Sequence, residues 1–121
     1  MSASPVADEA DLVAELQSLG FSVNSVYDFV STSAGYAAAY PILVRHLRIL
    51  HHPRIREGIT RALTVKDGGP TVIAALFAEF ESETDPILKW TFANALKTAM
   101  PYRDRKRHPE IQDTFGRGAR S

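Results

Sequence analysis

The chain has 121 residues, of which 45% are hydrophobic and 23% charged, a composition typical of one folded domain with one core. It contains no cysteine, which excludes disulfides and thiolate metal sites and fits a reducing cytoplasm. The start, MSASPVADEADLV, is acidic where a secretory signal is basic, and no apolar run approaches the roughly 18 residues of a membrane span. These features favour a cytoplasmic protein without a membrane partner.

The 14 basic and 14 acidic side chains balance, but they are sorted along the chain. The net charge is −5 over residues 1–44, +4 over 45–61, −4 over 62–88 and +5 over 89–121. Charge of this kind indicates that individual helix faces differ in sign, while the protein as a whole is neutral.

Apolar side chains recur every three to four residues, which predicts helices, and strand-like alternation is absent. The predicted helices lie near residues 8–19, 25–33, 37–50, 53–65, 70–82 and 86–99, and residues 109–115 are a candidate for a short seventh. Gly20 is expected to end the first helix in a left-handed conformation. Pro41 predicts a kink or a late start in the third helix.

Two stretches match each other at an offset of 33 residues. HPRIREGITRAL (52–63) aligns with DPILKWTFANAL (85–96), so that Pro53 matches Pro86. Three upstream positions follow the same offset: Leu43 with Leu76, Val44 with Phe77, and Leu47 with Phe80. A fixed period of this length predicts stacked helical hairpins, each of which buries its apolar stripe against its neighbours.

The matched helices begin with the same chemistry. Asp85 and His52 each precede a proline and can accept hydrogen bonds from the free amides of the first turn, while the proline has no N–H to leave unsatisfied. Gly68, Gly69 and Pro70 form the expected turn between the repeats. Arg56 and Lys89 occupy the same repeat position, where we expect a basic side chain to bind an acidic neighbour or a helix carbonyl between layers.

The segment TDPILKWTFANAL resembles the inner helix of a HEAT repeat, with Asp-Pro, an aliphatic residue, a basic residue and a closing Ala-Leu. AAYPILVRHL resembles the Ala-x-Pro-x-Leu signature of the outer helix. The resemblance extends to small bacterial HEAT-like proteins without a settled function. It implies an all-α, armadillo-like α-solenoid of about six to seven helices in a single domain, 1–121. Its parts would be an N-terminal capping hairpin (8–33), two repeats (36–67 and 69–100) and a charged tail or partial repeat (101–121).

The inner helices of such arrays line the surface that binds ligands. If the stripe of Ile55, Ile59, Ala62 and Leu63 is buried, the opposite side and its repeat equivalents present six candidate partner-binding residues: Arg54, Glu57, Arg61, Trp90, Asn94 and Lys97. An aromatic residue beside basic and amide groups is typical of an interface hot spot, although Trp90 can instead pack on an adjacent helix. We therefore predict a non-enzymatic protein-binding module, and homo-oligomerisation is also open.

Two alternatives remain. The basic block 45–61 could bind nucleic acid or another anionic ligand, as could the basic tail around Arg103, Arg105, Lys106 and Arg107, although the near-neutral pI disfavours this. An antitoxin or immunity-type inhibitor is a narrower form of protein binding. We expect no catalytic residues, cofactor or metal, because the chain has no nucleophile with a base, no phosphate-binding loop and no metal-ligand spacing among its four histidines.

Overall fold

The computed structural model of the chain describes residues 9–32, 35–49, 52–112 and 114. Across these residues the regular secondary structure is helical and contains no strand, so the predicted all-α class is confirmed. The elements are α1 (Ala10–Ser18), α2 (Tyr27–Val30), a 3₁₀ helix (Ala37–Ala39), α3 (Tyr40–Leu47), α4 (Pro53–Ala62), α5 (Gly69–Ser82), α6 (Pro86–Ala99) and α7 (Tyr102–Arg105). Within the same residues, no helix is both long and apolar enough to cross a membrane.

The chain divides into two compact units between Leu63 and Thr64, at the turn that separates the two matched stretches. The first unit contains α1 to α4, and the second contains α5 to α7.

In the first unit, α1 packs against α3, and both α2 and α3 pack against α4. The apolar stripe of α4 is buried as its periodicity predicts, with Ile55, Ile59 and Ala62 at most 2% exposed. The α1 side contributes Leu12 and Leu16, which are fully buried.

The two predicted helix boundaries in this unit are confirmed. Gly20 has a φ of +98°, its N–H donates to the Gln17 carbonyl, and the next amide reaches back to Leu16, which is the double hydrogen bond of a glycine-terminated helix. Pro41 lies in the first turn of α3, after the 3₁₀ helix Ala37–Ala39, so the helix starts late. Proline is tolerated there because first-turn amides have no partner within the helix.

Helix α2 has four residues, much shorter than the predicted 25–33. Two carboxylates accept from the amides that precede it: Asp28 Oδ2, from within α2, accepts from the amides of Asn24 and Ser25, and Glu9 Oε2 accepts from the Val26 amide at 3.2 Å. These bonds hold residues 24–26 in a turn, although residues 25 and 26 were predicted to be helical.

A row of four aromatic rings connects the segments before and after α2. Phe21 meets Phe29 edge-on at 5.4 Å, Phe29 stacks on Tyr36 at 4.4 Å, and Tyr36 meets Tyr40 edge-on at 5.7 Å. The Tyr36 hydroxyl donates to the Ala62 carbonyl at 2.8 Å, at the carboxyl end of α4. The row therefore fixes the position of α4 relative to the loop that precedes α3.

In the second unit, α5 packs along α6. The N-cap of α6 is as predicted: Asp85 Oδ1 accepts from the amides of Ile87 and Leu88 at 2.8 and 3.2 Å. His52 plays the same part for α4, where its Nδ1 accepts from the Arg54 amide at 3.1 Å. Helix α5 begins at Gly69, whose φ of +74° confirms the predicted turn.

The residues after α6 form two short helical segments, of which one was predicted. Residues 109–112 are helical, within the candidate seventh helix 109–115, whose positions 113 and 115 lie outside the described residues. Helix α7, which begins directly after Pro101, was not predicted. Ile111 is buried, and the His108 ring lies 4.6 Å from the ring of Phe77 on α5. The segment therefore folds against the second unit's own helices.

Candidate functional site

Helix α4 carries three of the six candidate residues in one row. Arg54, Glu57 and Arg61 are spaced three and four residues apart, which places them on one side of the helix, opposite the buried stripe. Arg61 Nη1 lies 4.0 Å from Glu57 Oε1, and both side chains are partly exposed. We call these three residues the α4 row; its two positive charges and one negative charge give it a net positive sign.

Tyr27 of α2 contacts the α4 row, and this contact was not predicted from the sequence. Its hydroxyl donates to the Arg54 carbonyl at 2.7 Å, and the Arg54 guanidinium lies over its ring, 5.0 Å from the centroid. Burial raises the pKa of the Tyr27 phenol, the Glu57 carboxylate raises it further, and the two arginines of the row oppose them. The signal that could have revealed this contact is Gly58, since a glycine inside a helix indicates that another element comes close.

Helix α6 carries the other three candidates. Trp90, Asn94 and Lys97 again follow the three-and-four spacing, on the side away from buried Phe92 and Leu96. Trp90 is 42% exposed, so part of its indole is in water and the rest is packed against the protein. Asn94 is half-buried and Lys97 is exposed.

Ile87 extends this line of residues and was missed from the sequence. It lies three residues before Trp90 and is 72% exposed, the highest value among the large exposed apolar side chains of the described residues. The available signal was its repeat position, because it aligns with Arg54, which was already expected to be exposed. We call Ile87, Trp90, Asn94 and Lys97 the α6 row.

The six predicted residues thus form two rows, one in each unit of the chain. The α4 row consists of charged residues, whereas the α6 row begins with two large apolar side chains, Ile87 and Trp90. That both rows contribute to one binding face stays a prediction.

Arg56 and Lys89, which occupy the same repeat position, each contact the preceding helix at matching positions. Arg56 Nη1 donates to the carbonyl of Leu47 at 3.0 Å, and Lys89 Nζ lies 4.6 Å from the ring centroid of Phe80. Leu47 and Phe80 are themselves repeat equivalents at the 33-residue offset. Each basic residue therefore holds the end of the preceding helix, through a carbonyl in one repeat and an aromatic face in the other.

Glu15 of α1 binds two side chains from the beginning of the basic block 45–61. Arg45 forms an ion pair with Glu15 Oε2, and the buried His46 ring has its Nε2 at 3.1 Å from the same oxygen. The hydrogen bond from Arg45 lowers the pKa of the Glu15 carboxyl, and His46 adds to the effect while desolvation opposes it.

Four of the five arginines in the basic block therefore have intramolecular contacts: Arg45 with Glu15, Arg54 with Tyr27, Arg56 with Leu47 and Arg61 with Glu57. Among the described residues, no group of three or more histidine, aspartate or glutamate side chains is placed to hold a metal ion.

Comparison of the chain with protein-family models, with curated proteins and with solved structures gives no match. The chain is an all-α protein, and two of its helical hairpins follow one 33-residue sequence register.

Proposed function

We propose that the protein is a non-enzymatic binding module for a partner protein, built as a short HEAT-like α-solenoid. In this proposal α4 and α6 are the inner helices, and the α4 row and the α6 row together contact the partner. The observation that carries the proposal is the exposure of Trp90 and Ile87 one turn apart on α6, since moving apolar side chains from water into an interface lowers the free energy.

The repeat geometry supports the solenoid part of the proposal. Repeated hairpins are expected to use the same internal contacts, and Arg56 and Lys89 contact the preceding helix from the same register position. Both contacts reach the end of the preceding helix, so they set the spacing between the two helices of each hairpin.

The chemistry of the α6 row suggests the chemistry of the partner. Trp90 and Ile87 fit an apolar side chain of the partner, and Lys97, two turns further along, fits a carboxylate. Tryptophan at the centre of an interface commonly contributes about 2 kcal/mol or more, which corresponds to a roughly 30-fold change in affinity on truncation. We therefore expect an acidic partner surface with one exposed apolar anchor.

The experiment uses the single tryptophan of the chain as its reporter. A tagged protein captures partners from its native host, the recovered partner is purified, and Trp90 emission is followed during titration. Binding at the α6 row should shift the emission to shorter wavelength and reduce quenching by iodide, because the partner removes the indole from water.

Variants then locate the surface. Trp90→Ala and Ile87→Ala should each weaken binding by about 30-fold, and Arg61→Glu should weaken it by about tenfold if the α4 row contributes. Ile49→Ala is the matched control, because Ile49 is a similarly exposed apolar residue outside both rows. Unchanged affinity in Trp90→Ala and Ile87→Ala, or an equal loss in the control, would contradict the proposed face.

A further inference from the structure

A pocket of about 230 Å³ lies beside the carboxyl end of α6, in the segment that follows the proposed inner helix. Eight described residues line it: Lys97, Tyr102, Arg105, Lys106, His108, Pro109, Ile111 and Gln112. Three of these carry a full positive charge, and none of the lining residues that the structure describes is acidic. The pocket is therefore a cationic recess, distinct from the exposed apolar pair on α6.

Its volume limits what could occupy it. Pockets for drug-sized ligands usually measure about 300–1,000 Å³, whereas one water molecule takes about 30 Å³ in the liquid. The recess therefore has room for an oxyanion such as phosphate or pyrophosphate with a few waters, and is too small to enclose a larger organic molecule.

Two of the cations contact the same aromatic ring. The Arg105 guanidinium lies 5.5 Å and the Lys106 ammonium 5.6 Å from the ring centroid of Tyr102. Each cation is attracted by the ring, and both line the recess. An anion in the recess would be attracted by both charges.

The Arg105 guanidinium also has an unused donor. Its Nε–H is shielded from solvent and has no hydrogen-bond acceptor among the described residues, which is an unfavourable state for a charged donor. An oxyanion bound along the edge of the guanidinium would accept from Nε and one Nη together, the two-point geometry that arginine favours with phosphate.

His108 supplies a further polar group at the edge of the pocket. Its ring packs against Phe77 on one side and its Nδ1 lies 3.1 Å from Glu110 Oε1, so the imidazole is held in place. When Nδ1 donates to that carboxylate, Nε2 is the ring nitrogen that remains for another partner.

We propose that this recess is a binding site for a phosphate-class oxyanion, with Arg105 and Lys106 as its principal ligands. The site is separate from the proposed partner-binding rows, except that Lys97 borders both. The ligand is either a free phosphate ion or a phosphoryl group that projects from a larger molecule, since the same donors suit both.

The test is an NMR titration of the labelled chain at about 50 mM salt with three probes: inorganic phosphate, pyrophosphate and glycerol phosphate. Saturable shifts should be confined to the amides of residues 97 and 102–112, and added sodium chloride should weaken them. Tighter binding of glycerol phosphate than of phosphate would indicate a phosphoryl group on a larger molecule, and the reverse order a free ion.

Variants make the assignment specific. Arg105→Gln and Lys106→Gln should each weaken pyrophosphate binding about tenfold or more, as expected for losing a charged hydrogen bond. Arg103→Gln is the matched control, because Arg103 lies on the same short helix α7 but does not line the recess; its affinity should stay within about twofold. Shifts that do not saturate, or an equal loss in all three variants, would overturn the proposal.

Discussion

Of the described glycines in the first unit, Gly58 of α4 is the one with no room for a side chain, and the substitution Gly58→Ala tests this close approach. A methyl carbon at this position would lie 2.8 Å from both Tyr27 Cε2 and Val26 Cγ1, and 3.1 Å from Tyr27 Cζ. Carbon atoms in contact prefer a separation of about 3.5–4.0 Å, so the added methyl overlaps two side chains of the α2 region. Either these side chains move or α2 and α4 separate.

Two effects of opposite sign decide the result. Alanine is favoured over glycine inside a helix by about 0.8–1.0 kcal/mol, whereas overpacking a core costs about 1–3 kcal/mol. Val26 is fully buried and β-branched, and the Tyr27 ring is held by its hydrogen bond to the Arg54 carbonyl, so neither can turn away freely. We therefore take the upper part of the overpacking range and expect a net destabilisation of about 1–2 kcal/mol.

The assay is urea unfolding followed by circular dichroism. Gly35→Ala is the control, because no atom lies within 4 Å of its added methyl and its backbone is not left-handed; we expect it to be stabilising by about 0.4–1 kcal/mol. Adding Tyr27→Ala to Gly58→Ala should cost less than the sum of the two single changes, since the overlap is then partly removed. If Gly58→Ala were as stable as the native chain, the close approach of α2 and α4 would be wrong.

Two further predictions concern capping and charge. Asp85→Ala removes the acceptor for the first amides of α6 and should cost about 1 kcal/mol of unfolding free energy in the same urea assay, while an unchanged midpoint would show that water replaces the cap. Glu15→Gln tests the contact with Arg45 and His46: the Glu15 pKa is below its ordinary 4.5, so its stabilisation is fully present above that pH and is lost as the pH falls through the lowered pKa. The urea midpoint of Glu15→Gln should therefore lie below that of the native chain at pH 7, with the difference closing in acid; a constant difference would refute the linkage.

Features that depend on neighbours along the chain could be predicted from the sequence. Asp85 before Pro86 places a side-chain acceptor beside amides that every helix leaves free, and Gly20 can adopt a φ that other residues avoid. The buried stripe of α4 follows in the same way from the helical period. Such features need no knowledge of what the helix packs against.

Features that depend on distant residues could not be predicted. Helix α2 is short partly because Glu9, 17 residues upstream, accepts from the Val26 amide. The buried His46 contacts Glu15, which lies on another helix 31 residues away. The sequence spacing of the two residues does not predict this contact. Helix α7 is missed for a related reason, since its four residues are too few to show a period.

The two matched helices differ most where they are exposed, and this difference says which of them is the better candidate for the main contact with a partner. Along the 33-residue offset, buried positions keep their type: Ile55 corresponds to Leu88, Ile59 to Phe92, Ala62 to Ala95. Positions that are exposed or half-buried change theirs, with Arg54 replaced by Ile87, Glu57 by Trp90 and Arg61 by Asn94. Packing restricts the first set most, whereas water favours charged residues such as those of α4 in the second. Ile87, which is 72% exposed, is therefore the apolar residue of the proposed surface that burial explains least, and binding is the property that would account for it.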